Sequence, residues 1–367
     1  MKGINMIKQF YKDFKVRDYI GEEEKSDISS NTIDCSLGTN PFLNEKLINQ
    51  YIRNGHSKIN AYPINGYDML KKVLIHFWRD RNGCKVNEKN LAFGSGTIGI
   101  LRNISEFLID KNTYVLGYSP QFPRFISEIE LKMGIYEYYS LSENNNFKFE
   151  TEEFLKMIND KYNMIIIDNP NNPTGQIISI ENIESIVKEA KKYDINVIID
   201  ETYGEYMDNK NSSIHLVNQY DNIAVLRSAS KFFGLPNHRI GYLFADEKFI
   251  KIYNMISLPF AFSDLSANIF AELICHYDEF EHTKQQVLEC KKKILNELNE
   301  KSYLYTNVET PIFTIKSDKY DNLTKELVKE GIITERCNEY INLNGSYTRI
   351  RVTDKTEELI KALKKIF

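Results

Sequence analysis

Short runs of apolar, mostly β-branched residues punctuate the middle of the chain. Several of them stop at a polar motif. Leu91–Phe93 leads into GSG, Met164–Asp168 into the NPNNPTG stretch, Asn196–Asp200 into ETY and Ile223–Leu226 into SASK, while Tyr114–Gly117 and Gly241–Ala245 complete the set. Continuous apolar runs of this length predict strands buried on both faces. Between two of them lies SIENIESIVKEAKKYD, where Ser179 caps a predicted helix and Ile180, Ile183, Ile186, Val187 and Ala190 form an apolar stripe. Alternating strands and helices predict an α/β fold with a mostly parallel central sheet sandwiched by helices. In such sheets ligands sit beyond the carboxyl ends of the strands, so the loaded strand exits predict one shared site.

The chain's 367 residues suffice for about two domains. From about Phe249 the pattern changes to helix, helix and then the short strands PIFTIK, GIITERC and TRIRV. That predicts a smaller α+β unit. The expected division is an N-terminal segment 1–45 packing with the small unit, a large ligand-binding unit 46–248 and the small unit 249–367. The segment IDCSLGTNPF reads as a short strand and loop detached from the central alternation.

The net charge of −4 offers no basic field for nucleic acid. Five scattered cysteines without a CxxC pair suit free thiols in a reducing cytoplasm. The six histidines form no HxxxH or HExxH pair, so no metal site is expected. No apolar run is long enough to span a membrane, and the start of the chain lacks the apolar stretch of a signal peptide.

The chemistry lies in a constellation. Lys231, in SASKFFGLPNHRIG, follows a buried strand; alone it reads as a solvated loop residue. Asp200 ends a second strand, Tyr203 lies three residues on, and Asn172 sits in NPNNPTG. A glycine-rich helix start at GSGTIG, with Ile98, Leu101, Ile104 and Leu108 at helical spacing, lets backbone N–H groups approach a phosphate. Arg239, Ser228 and Ser230 add phosphate donors. A lysine for a Schiff base, a strand-end acid for a ring nitrogen and an anion cradle are what pyridoxal 5′-phosphate (PLP) requires.

With these motifs, and with NAYPINGYDML and TRIRV, the chain resembles the fold-type I, class I/II aminotransferases, in particular the subgroup of histidinol-phosphate aminotransferases and threonine-phosphate decarboxylases. The resemblance implies a homodimer that uses PLP to move the amino group of an L-amino acid, or of an amino-alcohol phosphate, to a 2-oxo acid. It implies Lys231 as the Schiff-base lysine and proton shuttle, Asp200 as partner of the pyridine nitrogen, and Tyr203 and Asn172 as donors to the ring oxygen. Phe122 stands where relatives often stack a tyrosine on the ring. Gly96, Thr97, Ile98, Ser228, Ser230 and Arg239 form the phosphate cradle, and Tyr62 reaches the cofactor of the other subunit. Arg349, with Arg351 as fallback, clamps the substrate carboxylate, and Asn40 and Glu335 complete the substrate site.

Two positions depart from the family pattern. Relatives that handle phosphorylated substrates carry an arginine in a segment like GILIRDC, whereas this chain reads GIITERC, with Glu335 at that place and Arg336 one position later. Unless Arg336 takes over, the distal pocket exchanges a cation for a carboxylate. That favours a neutral or cationic amino acid over one with an anionic side chain. His238, beside Arg239, reads as a loop histidine. Decarboxylation, or a specialised biosynthetic reaction on the same fold, would use the same residues, because the bond broken is set by its angle to the ring plane.

Overall fold

The computed structural model describes residues 8–17, 32–43, 45–54, 60–63 and 66–367. Residues 1–7, 18–31 and 44 of the expected N-terminal segment lie outside the described residues, as do Ile64 and Asn65 of NAYPINGYDML.

The strands, in chain order, are β1 Ile33–Asp34, β2 Leu91–Ser95, β3 Tyr114–Ser119, β4 Ile135–Ser140, β5 Tyr162–Asp168, β6 Asn196–Asp200, β7 Ile223–Ser228, β8 Ile240–Ala245, β9 Ile312–Lys316, β10 Ile332–Ile333, β11 Glu335–Arg336 and β12 Tyr347–Arg351. Seven of them form the central sheet in the order β2-β8-β7-β6-β5-β3-β4. β8 runs antiparallel to both its neighbours, β2 and β7, and the other pairings are parallel. β11, β12 and β9 form a separate antiparallel sheet, and β1 pairs in parallel with β10.

The central strands alternate between two cores, one on each face. Ile165 and Ile167 of β5, Val197 and Ile199 of β6, and Ile223 and Val225 of β7 join one core. Met164 and Ile166, Ile198, and Ala224 and Leu226 join the other. With period-two side chains and both faces apolar, the middle of each of these strands reads as a continuous hydrophobic run. The covering helix Ile180–Lys191 starts where Ser179 accepts the Asn182 N–H at 3.3 Å, and it buries Ile183, Ile186, Val187 and Ala190. The helix Gly96–Leu108 turns a slightly different face inward than expected. It buries Ile100, Leu101 and Ile104, while Ile98 and Leu108 are only partly covered.

Two features were not expected. β4, IYEYYS, is an edge strand with a half-exposed, charge-bearing pattern. β7 continues past Leu226 through Arg227 to Ser228. The Arg227 guanidinium is fully buried. It pairs with Glu201 at 2.9 Å and Glu205 at 3.1 Å and lies 4.6 Å from the Trp78 ring centroid. Among the described residues no helix is long and apolar enough to cross a membrane.

Removing one partner of a buried charge cluster strands the others. Arg227→Ala is therefore expected to lower the unfolding free energy by about 3–5 kcal/mol. Ser179→Ala, which removes only a helix cap, is expected to cost about 1 kcal/mol. Denaturant titration of both variants checks this ranking, and equal losses would contradict it.

Candidate active site

The carboxyl edge of the central sheet opens onto a cavity of about 500 Å³. Because β8 is antiparallel, its start lies at the same edge as the ends of β2, β7, β6 and β5. Lys231 after β7 and Arg239 before β8 thus flank a single short connection. Its lining includes Gly96, Thr97, Ile98, Phe122, Asn172, Asp200, Tyr203, Ser228, Ser230, Lys231, Arg239, Glu335 and Arg349.

Asp200 ends β6 among apolar neighbours. Burial, with a smaller contribution from Asp168, pushes its carboxyl up to about 6, although the Thr202 N–H donates to it at 2.7 Å and opposes the shift. The Tyr203 hydroxyl is buried and has no hydrogen-bond partner. Burial pushes this phenol up to about 12. It faces Gly38, where a Cβ would stand 1.8 Å from the Tyr203 oxygen and 3.3 Å from Lys231 Nζ. No side chain fits at position 38 without closing the space between the tyrosine and the lysine. The Asn40 N–H donates to the Lys231 carbonyl at 2.9 Å and fixes this loop over the lysine.

The anion end is built from backbone. Gly96 has φ +69°, and a Cβ there would meet Arg239 Nη2 at 2.5 Å. Its N–H donates to the Arg239 carbonyl at 2.8 Å. Arg239 itself sits at φ 53°, an uncommon conformation for a non-glycine residue that recurs at functional sites. Its exposed guanidinium donates to the Pro236 carbonyl at 3.0 Å. Ser228 and Ser230 share a 2.9 Å hydrogen bond, and the Thr202 hydroxyl donates to Thr97 at 3.1 Å.

Asp168, Thr202, Gly38 and Tyr340 were not singled out from sequence. The buried Asp168 carboxylate accepts from Tyr118 at 2.8 Å, Gln121 at 3.0 Å and the Asn172 N–H at 2.8 Å, and so it orients the NPNNPTG loop. The aspartate directly before that motif was the available signal. Tyr340 donates towards Asn172 Oδ1 at 3.0 Å and also to Glu335.

Several expected site residues lie elsewhere. Asn40 is outside the cavity lining, because its amide is spent on the Phe232 carbonyl and on Thr283. Tyr62 is 76% exposed and stacks on Phe260 at 5.4 Å, away from its own chain's cavity. Arg351 is committed to the carbonyls of Thr39 and Asp34. Arg336 is exposed, so it does not replace the missing arginine. His238 is half-buried against Ser266 at 3.0 Å and is not part of the lining. Glu335 lines the cavity but does not present a bare carboxylate, because it is ion-paired with Arg349 and accepts from Tyr340.

The residues present fit PLP. The orphaned Tyr203 hydroxyl lies near Lys231 Nζ, a buried acid stands at the end of β6, and the bare Gly96 backbone lets the Arg239 guanidinium pack against the start of the helix.

The family model described as "Aminotransferase class I and II" matches residues 28–366. A histidinol-phosphate aminotransferase of Ruminiclostridium cellulolyticum is 27% identical over 304 residues, covering 82% of this chain and 81% of its own. The crystal structure of the histidinol-phosphate aminotransferase from Clostridium acetobutylicum has a TM-score of 0.80 at 22% identity, covering 91% of this chain and 98% of that one. The L-threonine-O-3-phosphate decarboxylase from Porphyromonas gingivalis has a TM-score of 0.74 at 17% identity, covering 91% and 99%. The two structural likenesses speak to the fold.

In cofactor-free protein, Asp200 holds its proton more tightly when folded than when unfolded. Between the ordinary value of 3.8 and about 6 the folded state binds more protons, so stability falls as pH rises through that window. The contribution is about 3 kcal/mol. Asp200→Asn is expected to match the wild type near pH 4 and to be the more stable protein at pH 7. Parallel pH–stability profiles for the two would contradict this.

Proposed function

We propose, for a chain that belongs to the class I and II aminotransferase family and therefore works with pyridoxal 5′-phosphate, that the donor is an L-α-amino acid with an uncharged side chain and the acceptor a 2-oxo acid. The observation that carries the donor class is the Glu335–Arg349 pair, which leaves no net positive charge at the distal end of the cavity. The family's arginine for a substrate phosphate has no counterpart there.

When bound, PLP supplies the carbonyl that takes up the donor's amino group and the conjugated ring that stores the electron pair released at the donor's α-carbon. The protein's residues do the rest. Lys231 Nζ would take the α-proton from the donor as general base and deliver it, as general acid, to the carbon that receives the amino group. Asp200 holds a charge against the pyridine nitrogen, and its burial makes that pairing strong. Tyr203 and Asn172 donate to the ring oxygen, and Arg349, which donates to Asn172 Oδ1 at 2.9 Å, holds that amide in place. The Gly96 turn, Ser228, Ser230 and Arg239 bind the phosphate. Phe122, at the cavity wall, supplies an apolar face for the ring.

The test is a single turnover. Protein loaded with PLP is mixed with one L-amino acid at a time and with phosphorylated amines, without any 2-oxo acid. One equivalent of 2-oxo acid per site is expected from a neutral amino acid. Lys231→Ala is expected to reduce that yield rate by about 10³-fold. Release of carbon dioxide in place of the 2-oxo acid would transfer the assignment to decarboxylation. A preference for phosphorylated amines would overturn the donor class.

The same reading includes a homodimer in the cytoplasm. Tyr62, Met255, Leu258 and Phe260 are exposed together with the Tyr62–Phe260 stack, which is the character of an interaction surface. None of the five cysteines forms a disulfide, which suits a reducing compartment. Sedimentation is expected to give twice the chain mass of 42.9 kDa, and Leu258→Glu to shift it towards monomer with weaker PLP binding. A wild-type monomer that binds PLP fully would contradict the proposal.

A further inference from the structure

Glu335 and Arg349 are register partners across β11 and β12, so their side chains project from the same face. Both are buried. The ion pair joins Glu335 Oε2 to Arg349 Nη2, while Glu335 Oε1 is held by Tyr340. Arg349 Nη2 also donates to the Ser36 carbonyl, and Nη1 donates to Asn172. Nε has neither an acceptor nor solvent. The guanidinium therefore carries an unfilled donor next to the nitrogen that Glu335 occupies.

A carboxylate can bond two adjacent guanidinium nitrogens in parallel, and such a two-point pair is stronger than a single contact. Glu335 makes its contact with Nη2 alone, because Tyr340 holds its other oxygen. The Nε–Nη2 edge is thus half-filled by a carboxylate from the chain itself.

Resting on the aminotransferase reading, we propose that Glu335 is an internal competitor of the substrate's α-carboxylate for Arg349, and that it sets the affinity of the site for carboxylate ligands. A carboxylate that binds the Nε–Nη2 edge displaces Glu335 from Nη2. The cost of that exchange tunes the site against carboxylates that gain nothing elsewhere in the cavity. A donor pays it with the contacts its side chain makes to the apolar wall and through its link to the cofactor.

The pair also gives the exchange a pH dependence. The groups facing Glu335 are Arg349 on the neighbouring strand, Tyr340 on the following loop, Lys231 across the cavity, and Tyr203 and Cys337, which share Arg349. Burial raises the Glu335 carboxyl above its ordinary range, against the opposing pull of Arg349, Tyr340 and Lys231. A protonated Glu335 releases Arg349, so carboxylate binding is expected to strengthen as pH falls.

The test measures binding, separately from turnover. Maleate, an unreactive dicarboxylate, is titrated calorimetrically into PLP-loaded wild type, Glu335→Gln and Glu335→Asp. Glu335→Gln keeps a hydrogen-bonding group beside Tyr340 and removes the competing charge. Glu335→Asp keeps the charge but shortens its reach, and serves should the glutamine variant fold poorly. Both are expected to bind maleate about tenfold more tightly than the wild type at pH 8. Glu335→Gln is also expected to lose much of the wild type's tightening as pH falls. In turnover, KM for a carboxylate-bearing donor should fall with little change in kcat. Unchanged or weaker maleate binding in both variants would overturn the proposal. Maleate binding that behaves as expected while no amino acid gives a 2-oxo acid would instead place the failure in the aminotransferase reading.

Discussion

A single buried guanidinium governs how the catalytic strands end. Arg227 is the penultimate residue of β7, directly before Ser228, and its partner Glu201 lies directly after Asp200. Glu201 in turn accepts from the Ser212 hydroxyl at 2.7 Å and the Ser213 N–H at 2.6 Å. A charge with no access to water has to be met by opposite charge and hydrogen bonds, and here those partners come from the two adjacent strand exits. The cluster ties the exit of β6 to the exit of β7 from beneath. The separation of Asp200 from Lys231 is therefore braced by residues that lie outside the cavity lining.

The cluster also explains what sequence could and could not convey. An arginine in an apolar run reads as the end of a strand, so β7 was expected to stop at Leu226, yet long-range ion pairs let Arg227 continue it. β4 went unread because an edge strand needs only one neighbour and tolerates charges on its open side. The buried central strands were legible because their apolar runs have no other stable home. In the site, Lys231, Asp200, Asn172 and Arg239 were legible because each lies in a short contiguous motif at a strand exit. Tyr340 and Gly38 were not, since their roles arise from contacts between segments far apart in sequence. Asn40 was assigned to the substrate, but a small polar residue in a loop offers no local sign of which way it turns, and it turns to Thr283. Glu335 was read as an added negative charge. Its cross-strand partner, visible only in the register, makes it one half of a neutral pair.

The cavity therefore has two ends of different character. At the sheet edge, backbone N–H groups, serines and an exposed arginine make a site for a fixed anion. At the small antiparallel sheet, opposite charges are already joined, and the walls between include Ile98, Phe122, Pro170 and Ile333. On the proposed function, chemistry is anchored at the first end and selection is made at the second. Keeping the two on different sheets lets the specificity end vary in sequence without disturbing the strands that hold Asp200 and Lys231.

β8, the reversed strand of the central sheet, has a consequence for how such a chain can change through descent. A parallel neighbour would be reached through a crossover helix, whose length can drift by whole turns. The link from β7 to β8 is instead a direct return, Ala229 to Arg239, closed by a hydrogen bond from the Ala229 N–H to the Ile240 carbonyl at 3.2 Å. Inserting or deleting one residue there would rotate either the lysine or the arginine out of the cavity. The loops at the far end of the sheet are free to lengthen; this one is held to its count.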